Sequence, residues 1–175
     1  MPKPERTLLL LRHAKAEQTH GAPDHSRELA SRGRDDARAV GKWLSDPSHA
    51  PSPDLVICST SERTRQTLEG LLTGGALVGE VRFEERVYDA GATSLLDVLQ
   101  EVPDSVDTVL MIGHAPGIPM LATALALEGH GPSEPLEHLS KGFPTCGLAI
   151  LGFETSWVAL AAETAHLREF VVLRG

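Results

Sequence analysis

Three short apolar runs constrain this chain more than any other feature, because none of them alternates with polar residues. They are Leu8 to Leu11, Leu55 to Cys58 and Val109 to Ile112. A strand with one wet face alternates apolar and polar side chains. An unbroken run of four or five apolar residues between polar neighbours is instead a strand covered on both faces. The stretches between the runs carry helical spacing. From about Ser31 to Leu44, the residues Ala37, Val40, Gly41 and Leu44 fall at i, i+3, i+4 and i+7, and Pro47 follows as a stop. A second helix is expected over about 61–72, with Leu68, Leu71 and Leu72 on one face and Gly74-Gly75 as its end. A third, about 93–102, places Leu95, Val98, Leu99 and Val102 on one stripe, with Ser94 and Asp97 as a capping pair. A fourth, about 117–127, starts after Pro116, a residue suited to a helix start.

Val81 to Phe83 reads as a short edge strand, and residues 129–135 as a Gly/Pro loop. The last third changes character. Gly147–Phe153, Trp157–Ala162 and Leu167–Leu173 read as strands with no long helix between them. Strand–helix alternation followed by a meander predicts a three-layer α/β/α sandwich, with a mostly parallel central sheet and antiparallel C-terminal strands. The 175 residues suit one domain spanning 1–175.

Charge narrows the partners. Twenty-four acidic against 16 basic side chains leave a net charge of −8, which disfavours a general attraction to nucleic acid or anionic membrane. The opening apolar run is too short for a signal peptide. No stretch approaches the ~18–20 apolar residues of a transmembrane helix. Cys58 and Cys146 do not make a disulfide framework and read as buried thiols in a reducing compartment. The expectation is a cytoplasmic protein, and a monomer, since no strongly apolar exposed stripe is evident.

In an open α/β sheet, ligands bind beyond the carboxyl ends of the strands. Three such ends here carry cationic or imidazole groups. The first run ends in Arg12-His13, the second in Cys58-Ser59 with Arg63 in the following helical turn, and the third in Gly113-His114. Each has an ordinary explanation when taken alone. Arg12 reads as a surface charge, Arg63 as a helix arginine paired with Glu62 or Glu69, and His114 as a satisfied strand-end histidine. Together, two guanidiniums, two imidazoles and two helix N-termini on one rim make a seat for a compact dianion.

Leu10-Leu11-Arg12-His13-Ala14-Lys15-Ala16-Glu17 resembles the opening signature of the histidine phosphatase superfamily, which has the phosphoglycerate-mutase-like fold. Ser59 to Thr67 is similar to its second motif, and Ile112 to Pro116 to its third. Most members carry Gly where this chain has Ala14. That choice, with Arg27 to Gly33 and Val87 to Ala90, resembles the SixA-like phosphohistidine phosphatase branch. The resemblance covers about residues 7–155.

The resemblance implies phosphoryl transfer through a covalent phosphohistidine, with His13 as nucleophile and water freeing it afterwards. Arg12 and Arg63 would keep His13 neutral in the empty pocket, and a backbone carbonyl would hold its second ring nitrogen. Arg12, Arg63 and His114, with Ala115, would then bind the non-transferring oxygens. No metal or other cofactor is implied. Arg27 either reaches the pocket rim to bind phosphate or anchors its loop. Ser59 either donates to phosphate or caps the next helix. Lys15 and Glu17 are expected to orient the loop after the first strand.

No clear general acid is evident. Glu84, Glu85 and Asp89 lie in the expected region, with Asp89 the candidate and Tyr88 a pocket wall. The weak acid signal favours phosphohistidine in a partner protein as substrate. The rivals are a phosphatase for small phosphoesters and a catalytically silent phosphate-binding module; a mutase is disfavoured by the short chain. His20, His25, His49, His130 and His138 read as loop histidines without metal-ligand spacing, and Cys58 as a core residue. Specificity is left to loops 16–28, 84–94 and 128–146, which carry no code that names a substrate.

Overall fold

Period-two geometry sends alternate residues of a buried strand to opposite faces, so each unbroken apolar run must have a helical layer on both sides. The computed structural model has that arrangement. It describes residues 3–129 and 132–175, and His130 and Gly131, in the stretch read as a Gly/Pro loop, lie outside them. The strands are β1 (Arg6–Arg12), β2 (Leu55–Cys58), β3 (Glu80–Phe83), β4 (Thr108–Gly113), β5 (Gly147–Phe153) and β6 (His166–Val172). The helices are α1 (Ser31–Leu44), α2 (Glu62–Thr73), α3 (Ala92–Gln100), α4 (Gly117–Leu125) and α5 (Ser133–Ser140). One six-stranded sheet runs in the order β3-β2-β4-β1-β5-β6. β3, β2, β4 and β1 are parallel, while β5 and β6 are antiparallel additions.

The two faces build two cores. Leu8, Leu10, Leu55, Ile57, Val109 and Met111 pack with α3, α4 and α5 residues such as Leu99, Leu121 and Leu139. Leu9, Leu11, Val56, Cys58, Leu110 and Ile112 pack with Ala37, Val40, Leu68 and Leu71 of α1 and α2. This is the α/β/α sandwich expected, and β5 and β6 are the antiparallel C-terminal strands. Among the described residues, no helix is long and apolar enough to cross a membrane.

Three local expectations are corrected. Trp157–Ala162 is not a strand: Trp157–Ala159 forms a single 3-10 turn. Trp157 is fully buried, sits edge-on to Phe153 at 4.9 Å and donates its indole N–H to the Val106 carbonyl at 2.7 Å. Its apolar signal is that of an anchor plugged into the core. Residues 133–140 form α5 within the stretch read as loop, because Pro135 lies in the first turn, where its missing N–H costs nothing, and buries with Leu139 one turn on. Ser94 and Asp97 are not a capping pair, since α3 starts at Ala92 with Gly91 at its cap and no side-chain cap bond.

Candidate active site

Adjacency of β1, β4 and β2 brings the three strand ends level. Arg12 pairs with Gly113, and Cys58 with Ile112. The ladder then runs one residue further on each side. The His13 N–H donates to the Gly113 carbonyl and the Ser59 N–H to the Ile112 carbonyl, both at 3.0 Å. Two further links hold the first motif. The Ala14 N–H donates to Thr67 Oγ1 at 3.1 Å, and that hydroxyl donates to the Arg63 carbonyl at 2.7 Å. The Cys146 N–H is shared between the Arg12 and His13 carbonyls at 3.1 and 3.0 Å, with Cys146 at a positive φ of 61°.

Beyond these ends lies a pocket of about 280 Å³. Its lining includes Arg12, His13, Arg27, Arg63, His114 and Ala115, together with Asp89, Lys15, Gln18 and Thr145. Four lining side chains are cationic and one is a carboxylate, in a chain whose net charge is −8. The local field is thus opposite to that of the whole molecule, as an anion seat requires. A larger depression of about 590 Å³ is lined by Phe143, Pro144, Phe170 and Val172, with His138 and Lys141, and has no comparable cationic cluster.

His13 Nδ1 lies 2.7 Å from the Ala14 carbonyl oxygen. A carbonyl only accepts, so Nδ1 carries the proton and Nε2 the lone pair. Arg63 Nε donates to that Nε2 at 3.3 Å. Burial and the guanidiniums of Arg63, Arg12 and Arg27 lower the His13 pKa to about 4, although the Ala14 carbonyl opposes the shift. His13 is therefore a neutral imidazole at pH 7, with its unprotonated nitrogen turned to Arg63 in the cationic pocket. His114 lies with its ring centroid 5.2 Å from that of His13, and its burial, then the repulsion its charged form would meet from a protonated His13 and from Arg63, lower its pKa to about 3. Its Nε2 meets Ser59 Oγ at 2.8 Å, whereas its buried Nδ1 has no partner among the described residues.

The arginines are fixed from outside. Arg12 donates to the Phe143 carbonyl at 2.8 Å. Arg63, only 6% exposed, donates to the Asp24 carbonyl at 2.8 Å and to Asp24 Oδ2 at 3.0 Å. Asp24 Oδ2 also accepts from the Tyr88 hydroxyl at 2.6 Å, and Oδ1 accepts from Arg27 at 3.1 Å. The Tyr88 hydrogen bond and the two arginines hold the Asp24 carboxyl well below the usual carboxylate range.

A sequence model of the histidine phosphatase superfamily (branch 1) matches residues 8–109. The chain belongs to that superfamily. An uncharacterized protein of Mycobacterium leprae is 37% identical over 169 residues, spanning 94% of this chain and 100% of that one. A Nakamurella multipartitia protein assigned as the phosphohistidine phosphatase SixA is 33% identical, with a TM-score of 0.82 over 98% of each chain. One from Agrobacterium tumefaciens, with the same assignment, is 26% identical, with a TM-score of 0.76 over 98% of each chain. This histidine phosphatase superfamily member thus has the phosphoglycerate-mutase-like fold expected from its motifs.

Most residues anticipated for the site meet in its pocket, with differences of detail. Arg63 pairs with Asp24 rather than Glu62 or Glu69. Arg27 both lines the pocket and anchors its loop, donating to the Glu17 carbonyl at 3.1 Å. Ser59 neither caps α2 nor lines the pocket; it is fully buried behind His114. Tyr88 reaches Asp24 and sets its ring edge-on to His114 at 5.4 Å. Asp89 lines the pocket at φ 51°, whereas Glu84 is paired with Arg86. Burial pushes the Cys58 thiol up to about 12, which suits a core residue. Thr67 is marked in the sequence only as the end of the second motif, without a role, and Asp24 is not marked at all. Asp24 sits three residues before Arg27, and that i, i+3 spacing of opposite charges was its one available signal.

Proposed function

We propose that this protein is a metal-independent phosphatase that works through phospho-His13, with phosphohistidine in a partner protein as its preferred substrate class. One observation carries the reading: His13 has its proton held on Nδ1 by a carbonyl, and its unprotonated Nε2, in a cationic pocket, accepts only a long 3.3 Å hydrogen bond from Arg63, which the substrate phosphoryl group would replace. A neutral imidazole with one committed nitrogen is a nucleophile aimed in a single direction.

In the first step the Nε2 lone pair forms a bond to phosphorus while the bond to the leaving group breaks. Arg12, Arg63, Arg27 and His114, with Ala115, take the three non-transferring oxygens, where the transition-state charge is spread. In the second step water attacks phospho-His13, releasing phosphate and the free imidazole. A phosphorylated imidazole leaves as a neutral ring when its distal nitrogen holds a proton, so it asks little of an enzymic acid. An alkoxide leaving group asks for a donor in the pocket. The Asp24 carboxyl stays ionised and is no such donor. Asp89 is a carboxyl lining the same pocket, and it favours the second reading, a phosphatase for small phosphoesters. The intact cationic set argues against a silent phosphate-binding module. The buried thiols and the charge of −8 suit a cytoplasmic protein acting on a soluble partner, as a monomer.

The test is hydrolysis of a phosphohistidine peptide and of an aryl phosphate, with chelator present, by wild type, His13→Ala and Asp89→Asn. The expected outcome is loss of both activities in His13→Ala, and little change on the peptide in Asp89→Asn. Full activity in His13→Ala overturns the mechanism. A faster wild-type rate on alkyl or sugar phosphates than on the peptide, lost in Asp89→Asn, moves the substrate class to phosphoesters.

A further inference from the structure

Two buried polar groups at the back of the pocket leave a donor–acceptor puzzle with one good solution. Ser59 is fully buried, and among the described residues its hydroxyl has a single partner, His114 Nε2 at 2.8 Å. His114 is 6% exposed and lines the pocket, and its buried Nδ1 has no partner among the described residues. The contact can be made in two ways. If Nε2 carries the proton and donates to Ser59, the hydroxyl hydrogen is left without an acceptor and Nδ1 presents a bare lone pair. Two buried groups then go unsatisfied. If Ser59 donates to Nε2, both of those atoms are satisfied and only the Nδ1–H remains over. A buried polar group left without a partner forfeits its hydration with nothing in return, so the arrangement that leaves one such group is preferred to the one that leaves two.

The substrate decides in the same direction. A dianionic phosphoryl group offers acceptors only. A lone pair on Nδ1 would repel it, whereas an Nδ1–H completes its bonding. The burial of the ring keeps His114 neutral at pH 7, so a single proton must be on one nitrogen or the other.

We infer that Ser59 is a positioning residue whose hydroxyl donates to His114 Nε2 and so holds the only ring proton on Nδ1, where it donates to a phosphoryl oxygen of the substrate. The inference rests on the phosphatase reading for its ligand but not for its chemistry, because the proton's place is a property of the empty protein. Ser59 is thereby the counterpart of the Ala14 carbonyl on the other imidazole. One backbone acceptor bares Nε2 of His13 for attack, and one side-chain donor arms Nδ1 of His114 for binding.

The experiment is nitrogen NMR of ring-labelled protein at pH 7, in wild type and Ser59→Ala, with titration of inorganic phosphate as probe. The expected result is a pure Nδ1–H ring for His114 in wild type and a mixture or reversal in Ser59→Ala. Phosphate affinity and kcat/KM should fall about tenfold in the variant, less than the ~10²–10³ that follows loss of a whole oxyanion donor. Ser59→Cys, close in size but a weak donor, should fall between the two. A wild-type His114 proton on Nε2 overturns the inference, and so does a variant whose ring signature and phosphate affinity are unchanged. Failure of the phosphatase reading would instead show as full activity in His13→Ala, with the ring signature of His114 unaffected.

Discussion

The carboxylate of Asp24 accepts from Arg63, Arg27 and Tyr88 at once, although the side chain itself is about half exposed. Surface ion pairs ordinarily contribute little, since solvent screens them and two side chains must be ordered. Here the partner is a nearly buried guanidinium whose Nε is already at His13, so the carboxylate acts by fixing an orientation. We expect Asp24→Ala to lower kcat/KM by about 10², the scale of misplacing a catalytic group by an ångström. Tyr88→Phe, which removes one of the three bonds, should lose less. Steady-state kinetics on a phosphohistidine peptide check both, and an unchanged kcat/KM in Asp24→Ala sinks the positioning role. Arg12, His13, Arg63 and His114 were legible because each stands at the end of an apolar run or in the turn after one. Asp24 was not, because it lies in a polar loop and is recruited by Arg63, 39 residues later in the chain.

At the level of elements, the site depends on how closely α1 lies against α2. A Cβ built at Gly41 would come 2.2 Å from the Leu71 carbonyl oxygen and 2.7 Å from its Cα. Those atoms are backbone, so they can yield only if α2 shifts. α2 carries Arg63 near its start and Thr67 one turn later, and both hold the His13 segment. Gly41→Ala should therefore destabilise the protein by about 1–3 kcal/mol, as overpacking does, despite the better helix propensity of Ala. It should also lower kcat/KM, which a purely local clash would not. Denaturant unfolding and kinetics together check this, and a stabilised, fully active variant would refute the close packing. The spacing of Ala37, Val40, Gly41 and Leu44 identified this face of α1 as buried. That Gly41 is small because another helix presses on it was not readable, since helix pairing is a long-range property. The same limit explains Trp157–Ala162. An apolar window marks burial without saying whether the chain is extended or looped around one large anchor.

For the molecule as a whole, the two pocket imidazoles, His114 buried and His13 half-buried, make stability depend on pH. In the folded protein the pKa of His13 lies at about 4 and that of His114 at about 3, below the 6.5 of a free side chain. Between about 6.5 and 4 the unfolded chain thus binds protons that the folded chain refuses, so stability falls as pH falls through that window. The depressed pKa of Asp24 works in the same direction lower down, its contribution being present above its unfolded value of 3.8 and lost as pH falls further. The melting temperature should drop steadily from pH 7 to pH 4.5, and less steeply in His13→Asn/His114→Asn. Parallel slopes in the two proteins would contradict the neutral pocket imidazoles. The sequence alone determined the layers, the parallel core of the sheet and the three strand ends that carry the chemistry. Those follow from local rules, namely period-two burial, period-3.6 faces, and motif residues at the ends of apolar runs. Tertiary structure alone decided strand order, the carboxylate that clamps Arg63, the hydroxyl that meets His114 and the helix inside the last loop. Each of these joins residues far apart in the chain, and only the packed fold selects which distant donor finds which acceptor.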